Sequence, residues 1–323
     1  MNFFVLATLF SALFITGSYA MVAESPLSLA TRTTTPLVPS KRILNMCPTS
    51  SPVPEAIDGV QYSSLVKYYM YAYAANSDKC TNQNSNLKTF VNQNRVISSF
   101  GRGYIAIDTV GKEYIVAFRG KTTLNVIRDD PYTRFSSFTI SGVTMPAGIK
   151  VHMGFRDSYF ANKIDRFLLD FLTAELAKNR DYSIVTTGHS LGGALASISG
   201  VILKEKLKVP IRIYTFGQPR TGNKQYVEWM EKSVGRDNIF RSVSVDDPIP
   251  QFPTRKQGYM HHGVEYWTCG DGDSEADTRK CNLPEQPNCS QSITTPDPQI
   301  DMGPHLHYFG VPEDIEVCEQ RLP

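Results

Sequence analysis

The chain has 323 residues, 41% of them hydrophobic and 20% charged, which is enough apolar material for a packed core and excludes a disordered chain. Lys and Arg number 33 against 31 Asp and Glu, so the net charge of +2 lacks the basic excess of a nucleic-acid binder. The length fits two average domains or one large α/β domain, and no composition bias points to collagen, a coiled coil or a repeat array.

Residues 3–17 form an uncharged apolar run ending in Ser18-Tyr19-Ala20. The run is too short to span a bilayer comfortably, and small residues at positions 18 and 20 suit cleavage after Ala20. Residues 1–20 therefore read as a signal peptide, with an uncleaved anchor as the rival because the leading residues carry no Lys or Arg. No later stretch approaches the roughly 18 apolar residues of a membrane span, so stable insertion is not expected. Residues 21–42 hold Pro26, a Thr-rich tract (Thr31, Thr33, Thr34, Thr35), Pro36 and Pro39, and end in Lys41-Arg42. A dibasic pair after a low-complexity spacer predicts a propeptide, leaving residues 43–323 as a single domain. The charge excess lies wholly in the removed piece, which holds Arg32, Lys41 and Arg42 against Glu24.

Secretion changes how the cysteines read. All six (Cys47, Cys80, Cys269, Cys281, Cys289 and Cys318) follow the cleavage points, and an even count in an oxidising compartment predicts three disulfides whose pairing stays open. No Cys-x-x-Cys or short His/Cys pair occurs, so no metal site is assigned. Asn288-Cys289-Ser290 is an N-glycosylation sequon with a cysteine in its middle position.

Along the body, 104–108 and 113–118 flank Val110-Gly111-Lys112 and read as a β-hairpin. Residues 155–178 place Ile164, Phe167, Leu168, Phe171, Leu172 and Leu176 at helical spacing and predict one long amphipathic helix. A β-branched strand follows at 181–187, then an Ala-, Ile- and Leu-rich buried helix at 193–208. Further strands are expected at 211–216, 239–245 and 264–268, and 269–301 reads as a polar, Pro-, Asp- and Cys-rich surface excursion. Strands alternating with helices predict one α/β sheet.

The chemical signal is Gly188-His189-Ser190-Leu191-Gly192, a G-x-S-x-G pattern set directly between a strand and a helix. That context suits a nucleophile elbow, in which a sharp turn raises the Ser190 hydroxyl at the helix N-terminus. The Leu191 amide then points toward an oxyanion on the substrate, where the helix dipole favours negative charge. A serine hydroxyl is a weak nucleophile at neutral pH and needs a histidine to take its proton and a carboxylate to orient that histidine. In this arrangement the chain order is serine, acid, histidine. His261, His262, His305 and His307 are the histidines after Ser190, and Asp246 and Asp247 offer acids just past a strand end. Periodicity alone separates neither Asp246 from Asp247 nor His305 from His307.

Several blocks in order resemble the fungal class 3 triacylglycerol lipases over most of the chain from Cys47 to Cys318. They are Ala117-Phe118-Arg119-Gly120, His152-Met153-Gly154-Phe155, Gly188 through Ala196, Tyr214-Thr215-Phe216-Gly217-Gln218-Pro219-Arg220-Thr221-Gly222-Asn223, Asp247-Pro248-Ile249-Pro250 and His305-Leu306-His307-Tyr308-Phe309-Gly310. The resemblance implies an α/β-hydrolase fold, with a mostly parallel central sheet flanked by helices and a short lid. It assigns the acid to Asp247 and the base to His305. It also pairs Cys47 with Cys318 end to end and Cys281 with Cys289, leaving Cys80 to Cys269.

One departure stands out. The family usually has Ser or Thr directly after the Arg-Gly pair as an oxyanion donor, whereas this chain has Lys121 followed by Thr122. Lys121 retains its backbone N–H, and a shift of one residue brings Thr122 into the role. The resemblance places the lid at 122–131, where Leu124, Val126 and Ile127 form a short apolar stripe among Asn125, Arg128, Asp129 and Asp130. The expected protein is a secreted, monomeric serine ester hydrolase acting on acylglycerols at an oil–water interface, with no metal or organic cofactor and no nucleic-acid partner. A phospholipase or feruloyl-type esterase shares the fold and triad, and a non-catalytic lipid-binding homologue is the reading from another class.

Overall fold

Alternation along one hairpin sets the layers of the molecule. In the computed structural model, strands β4 (Gly103–Asp108) and β5 (Glu113–Phe118) pair antiparallel. Ile105, Tyr114, Val116 and Phe118 enter one apolar core, and Tyr104, Ala106, Ile115 and Ala117 enter another on the opposite face. The period of two explains the division, since successive side chains of a strand leave opposite faces of the sheet. The structure describes residues 47, 53–78, 80, 86–87, 94–100, 102–120, 133–270, 274–292, 302–311 and 317–319. They belong to one unit, Arg42–Pro323.

The remaining strands in chain order are β1 (Glu55–Ala56), β2 (Asn86–Leu87), β3 (Asn94–Phe100), β6 (Phe135–Ser137), β7 (Lys150–His152), β8 (Ser183–His189), β9 (Ile211–Phe216), β10 (Gly222–Asn223), β11 (Ile239–Ser244), β12 (Tyr259–Met260), β13 (Val264–Thr268), β14 (Thr278–Cys281) and β15 (Cys318–Glu319). Eleven of the described strands form the main sheet in the order β1-β14-β13-β11-β9-β8-β5-β4-β3-β2-β15. Its centre, β5-β8-β9-β11-β13, is parallel throughout, and antiparallel strands extend both edges. A parallel centre covered on both faces explains why all of β5 is buried and why it reads as an apolar run from Tyr114 onward. The fold is that of the α/β hydrolases. A small second sheet, β12-β10-β7-β6, lies apart from the main one.

Helix Leu191–Leu207 crosses the first core, and every residue from Leu191 to Leu203 is buried. Helices Met153–Phe160, Ile164–Lys178 and Lys224–Val234 share that face, with Phe155, Leu168, Leu172 and Trp229 in the same core. Helix Gly59–Ala74 covers the other face with Leu65, Tyr69 and Tyr71. Its start is fixed by Asp58, whose carboxylate accepts from the Gln61 amide at 2.7 Å. The single long helix expected over 155–178 is in fact two. Asn162 and Lys163 take left-handed φ values of 54° and 58° between them. The break turns the axis so that Ile164, Leu168 and Leu172 face the core together with Phe155 and Tyr159 of the preceding piece.

The disulfides correct two expected pairings. Cys281 bonds Cys289 as the resemblance implied, but Cys47 bonds Cys269 and Cys80 bonds Cys318. The end-to-end pair Cys47–Cys318 fails on topology. The N-terminal β1 lies at one edge of the sheet and the C-terminal β15 at the other, ten strand spacings of about 4.8 Å apart. Each terminal cysteine takes the nearest partner at its own edge, with Cα separations of 4.8 Å for Cys47–Cys269 and 5.3 Å for Cys80–Cys318. The other expected pair, Cys80–Cys269, fails likewise, because Cys80 is tied to the β15 edge and Cys269 follows β13, eight strand spacings away. Glu265 stands beside Cys281 and Cys289, yet both sulfurs are held in the disulfide and offer no thiolate to a metal.

Candidate active site

The site is assembled at the carboxyl ends of the parallel strands, where α/β sheets gather their functional loops. β8 ends at His189, and helix Leu191–Leu207 begins two residues later. Ser190 alone makes the turn, at φ 58° and ψ −128°, a conformation that costs an ordinary residue about 1–3 kcal/mol. The surroundings enforce it. The Ser190 amide donates to the Phe216 carbonyl at 2.8 Å. The backbone is packed so closely that a Cβ on Gly188 would lie 2.2 Å from the Gly192 oxygen, and one on Gly192 would lie 2.3 Å from the Phe118 oxygen. Leu191 opens the helix, so its amide has no carbonyl one turn back and remains a donor for an anion at the helix N-terminus.

Asp247 follows β11 in the loop Val245-Asp246-Asp247-Pro248 and is buried. His305 sits in the short helix Gly303–Leu306 and is also buried. Its Nδ1 lies 2.9 Å and 3.0 Å from the two Asp247 carboxylate oxygens. Asp247 accepts two more hydrogen bonds, from the Tyr308 hydroxyl at 2.5 Å and from the Ile249 amide at 2.9 Å. Burial alone would raise the Asp247 pKa, but the His305 charge and these donors outweigh it and hold the carboxyl below its usual value. Burial and the facing Asp247 drive the Tyr308 phenol far upward, so it stays a proton donor.

Asp247 and His305, 58 residues apart in the chain, thus meet in space. His305 reaches the elbow through His189, whose Nε2 lies 2.7 Å from the His305 carbonyl and whose ring centroid lies 4.4 Å from that of His305. Gly217, next to the Phe216 that anchors Ser190, turns at φ 57° beneath the pair. A Cβ there would lie 2.7 Å from Asp247 Oδ2 and 2.9 Å from the His305 ring, so only glycine admits both side chains. The rival residues are elsewhere. His307 is exposed and its Nδ1 bonds the Gly303 carbonyl. His261 is bonded to the Pro250 carbonyl and His262 to Gln218. Asp246 is only half-buried and turns through a positive φ of 62°.

The end of β5 and the two residues that follow it are also held. Arg119 donates to the Ala75 and Asn76 carbonyls and to Asp78, and the Gly120 amide donates to Asn76 Oδ1 at 3.0 Å. Lys121 and Thr122, and the lid residues Leu124, Val126 and Ile127, lie outside the described residues, as do both N-terminal cleavage points.

With this geometry in place, the likenesses to known proteins fall into line. The family model for lipase class 3 matches residues 115–257, a segment that includes Ser190 and Asp247. The secreted mono- and diacylglycerol lipase 1 of Fusarium solani is 33% identical over 167 residues, covering 52% of this chain and 47% of that protein. The lipase of Rhizomucor miehei is 30% identical over 205 residues, covering 62% and 53%. This chain is similar to the secreted fungal class 3 lipases. It spans about half the length of these two relatives. In fold the likeness is more complete. The crystal structure of a lipase from Rhizopus microsporus var. chinensis superposes with a TM-score of 0.69 at 29% identity, covering 82% of this chain and 92% of that one.

Three contacts in the site were not expected from the sequence. Tyr308 lies in a block quoted for its resemblance, but nothing in the pattern says that its hydroxyl meets Asp247. His189 is a variable position within G-x-S-x-G and carries no signal of its contact with His305. Asn76 lies 44 residues before the glycine whose amide it holds, too far for any local pattern to join them.

Proposed function

We propose that the chain is a secreted serine ester hydrolase that releases fatty acids from acylglycerols, with Ser190 as nucleophile, His305 as general base and Asp247 as the acid that orients it. The observation that carries the reading is the buried His305–Asp247 contact of 2.9 Å, tied to the Ser190 elbow through His189. Ser190 Oγ attacks the ester carbonyl while His305 Nε2 takes its proton, and the same proton passes to the departing alcohol. With Nδ1 donating to Asp247, Nε2 is the free base, which is the tautomer this step needs. The acyl group stays on Ser190 until water, deprotonated by His305, releases the fatty acid.

The Leu191 amide stabilises the oxyanion, and Lys121 or Thr122 supplies the second donor. Leu124, Val126 and Ile127 form the apolar side of a lid that opens at an oil–water surface, where exposing them is no longer unfavourable. Residues 1–20 are a signal peptide, residues 21–42 a propeptide, and the remaining chain acts as a monomer. Three disulfides fit an oxidising compartment and support secretion. Acylglycerols are the favoured substrates because the sequence relatives include a mono- and diacylglycerol lipase.

The test compares purified enzyme on emulsified tri-, di- and monoacylglycerols, on phospholipid vesicles and on a soluble aryl ester. Fastest turnover on an emulsified acylglycerol, with a rise in rate above the solubility limit, is expected. Hydrolysis confined to phospholipid or to the soluble ester would overturn the substrate assignment while leaving the serine mechanism in place.

A further inference from the structure

Past Asp247 the loop carries four successive carbonyls, Pro250, Gln251, Phe252 and Pro253, and all four are gripped by two buried residues. The Arg220 amide donates to Phe252 at 2.8 Å, and its guanidinium donates to Gln251 at 2.5 Å and Pro253 at 3.1 Å. His261 Nε2 holds the Pro250 carbonyl at 2.7 Å. Both residues answer to one carboxylate. Glu285 Oε1 lies 2.6 Å from Arg220 Nε and accepts the His261 amide at 2.9 Å. Glu285 is buried, and among the described residues only Arg255 reaches its other oxygen, at 2.9 Å from the solvent side.

Glu285 is itself fixed by the ring that the Cys281–Cys289 disulfide closes. Just past this ring, the Ser290 amide donates to the buried Glu265 at 3.0 Å, and the Ser290 carbonyl and Gln291 both bond the Gln251 side chain. A buried ion pair adds little net stability over a well-packed apolar pair of the same volume. Here its donors are aimed at one loop, through charge-assisted bonds with fixed geometry.

We propose that Glu285 is a positioning residue, which acts through Arg220 and His261 to set the Asp247 loop and so the orientation of His305. The Cys281–Cys289 ring is the frame that holds it. This rests on the reading of Asp247 as the acid that orients His305.

The test is a kinetic cycle on a soluble aryl ester with Glu285→Gln, Asp247→Ala and the double variant. Because misplacing a catalytic group by about 1 Å costs up to roughly a hundredfold, Glu285→Gln is expected to lower kcat by about ten- to a hundredfold with KM within about twofold. In the Asp247→Ala background the same change should lower kcat no further, since there is no longer an acid to position. Wild-type kcat in Glu285→Gln overturns the proposal, and so does an equal loss in both backgrounds, which marks a general structural role. Wild-type kcat in Asp247→Ala overturns the triad reading itself, and the proposal with it. Where Glu285→Gln fails to fold, the Cys281→Ala/Cys289→Ala pair replaces it. That pair keeps both charges and frees the ring, and the same kcat-selective, Asp247-dependent loss is expected. An unchanged kcat in that pair overturns the proposal.

Discussion

His189, the residue just before the elbow serine, holds the backbone carbonyl of His305 with Nε2 at 2.7 Å. The bond joins β8, which leads into the Ser190 turn, to the short helix that carries His305. Burial, reinforced by the charge of His305, lowers the His189 pKa to about 3, so the ring is neutral at working pH and donates from Nε2. His189→Ala leaves that carbonyl unpaired. A loss of about 1–2 kcal/mol is expected, read as a fall in kcat of roughly five- to thirtyfold. His189→Gln, whose amide can still donate, should restore part of it. Equal activity in His189→Ala and wild type on a soluble aryl ester would show that the contact is dispensable.

The Asp247 carboxylate that meets His305 Nδ1 also receives the Tyr308 hydroxyl at 2.5 Å. Tyr308 is one of the groups that hold the Asp247 pKa down against the effect of burial. Tyr308→Phe removes that donor, so the pKa of Asp247 rises. The charged acid is present only above its pKa, so the acid limb of the activity profile should move to higher pH. The kcat at neutral pH should change less than the limb. A limb that stays in place would show that Tyr308 does not act on Asp247.

Buried histidines set the acid stability. Burial lowers His152 from 6.5 to about 4 and is the leading cause in His189 and His262, which fall to about 3. In the unfolded chain these rings bind protons below pH 6.5, and in the folded protein they do so only near pH 3–4. Their contribution is therefore complete above pH 6.5 and is lost progressively as the pH falls through that window. Thermal unfolding should show a midpoint that is level above neutrality and falls between pH 6.5 and 4, before ordinary carboxylates titrate near pH 4 and below. His262→Gln, which still offers an acceptor to Gln218, should flatten that fall. An unaltered slope in the variant would remove His262 from the account.

Much of this was legible in the sequence, and the exceptions have physical causes. The elbow was readable because a strand, two glycines and a helix crowd one backbone turn, and each leaves a local trace. The central strands were readable because burial on both faces makes 114–118 an unbroken run of apolar and aromatic residues and leaves 211–216 mostly so, broken by Arg212 and Thr215. Asp247 and His305 could be paired only through resemblance, since they are 58 residues apart and meet by folding alone. Helix Gly59–Ala74 and strand β3 were missed. The helix is rich in tyrosine, and its buried face carries Tyr68, Tyr69 and Tyr71 where a simple apolar stripe is expected.

The cysteine pairing was misread because resemblance supplied the end-to-end bond and topology forbids it. Peptide mapping without reduction should recover Cys47–Cys269, Cys80–Cys318 and Cys281–Cys289. Cys80→Ala/Cys318→Ala, which opens a loop of 238 residues, should lose up to about 5 kcal/mol by the chain-entropy model. Recovery of a Cys47–Cys318 peptide would contradict the sheet order.

The central claim is that Ser190 is the nucleophile, and covalent labelling tests it directly. A serine-directed phosphonate should add one adduct to the wild-type protein, located on Ser190 by peptide mass, and abolish ester hydrolysis in proportion. Ser190→Ala should take up no adduct and hydrolyse no ester while unfolding at the wild-type temperature. Hydrolysis retained in Ser190→Ala, or a stoichiometric adduct on another residue, would contradict the account.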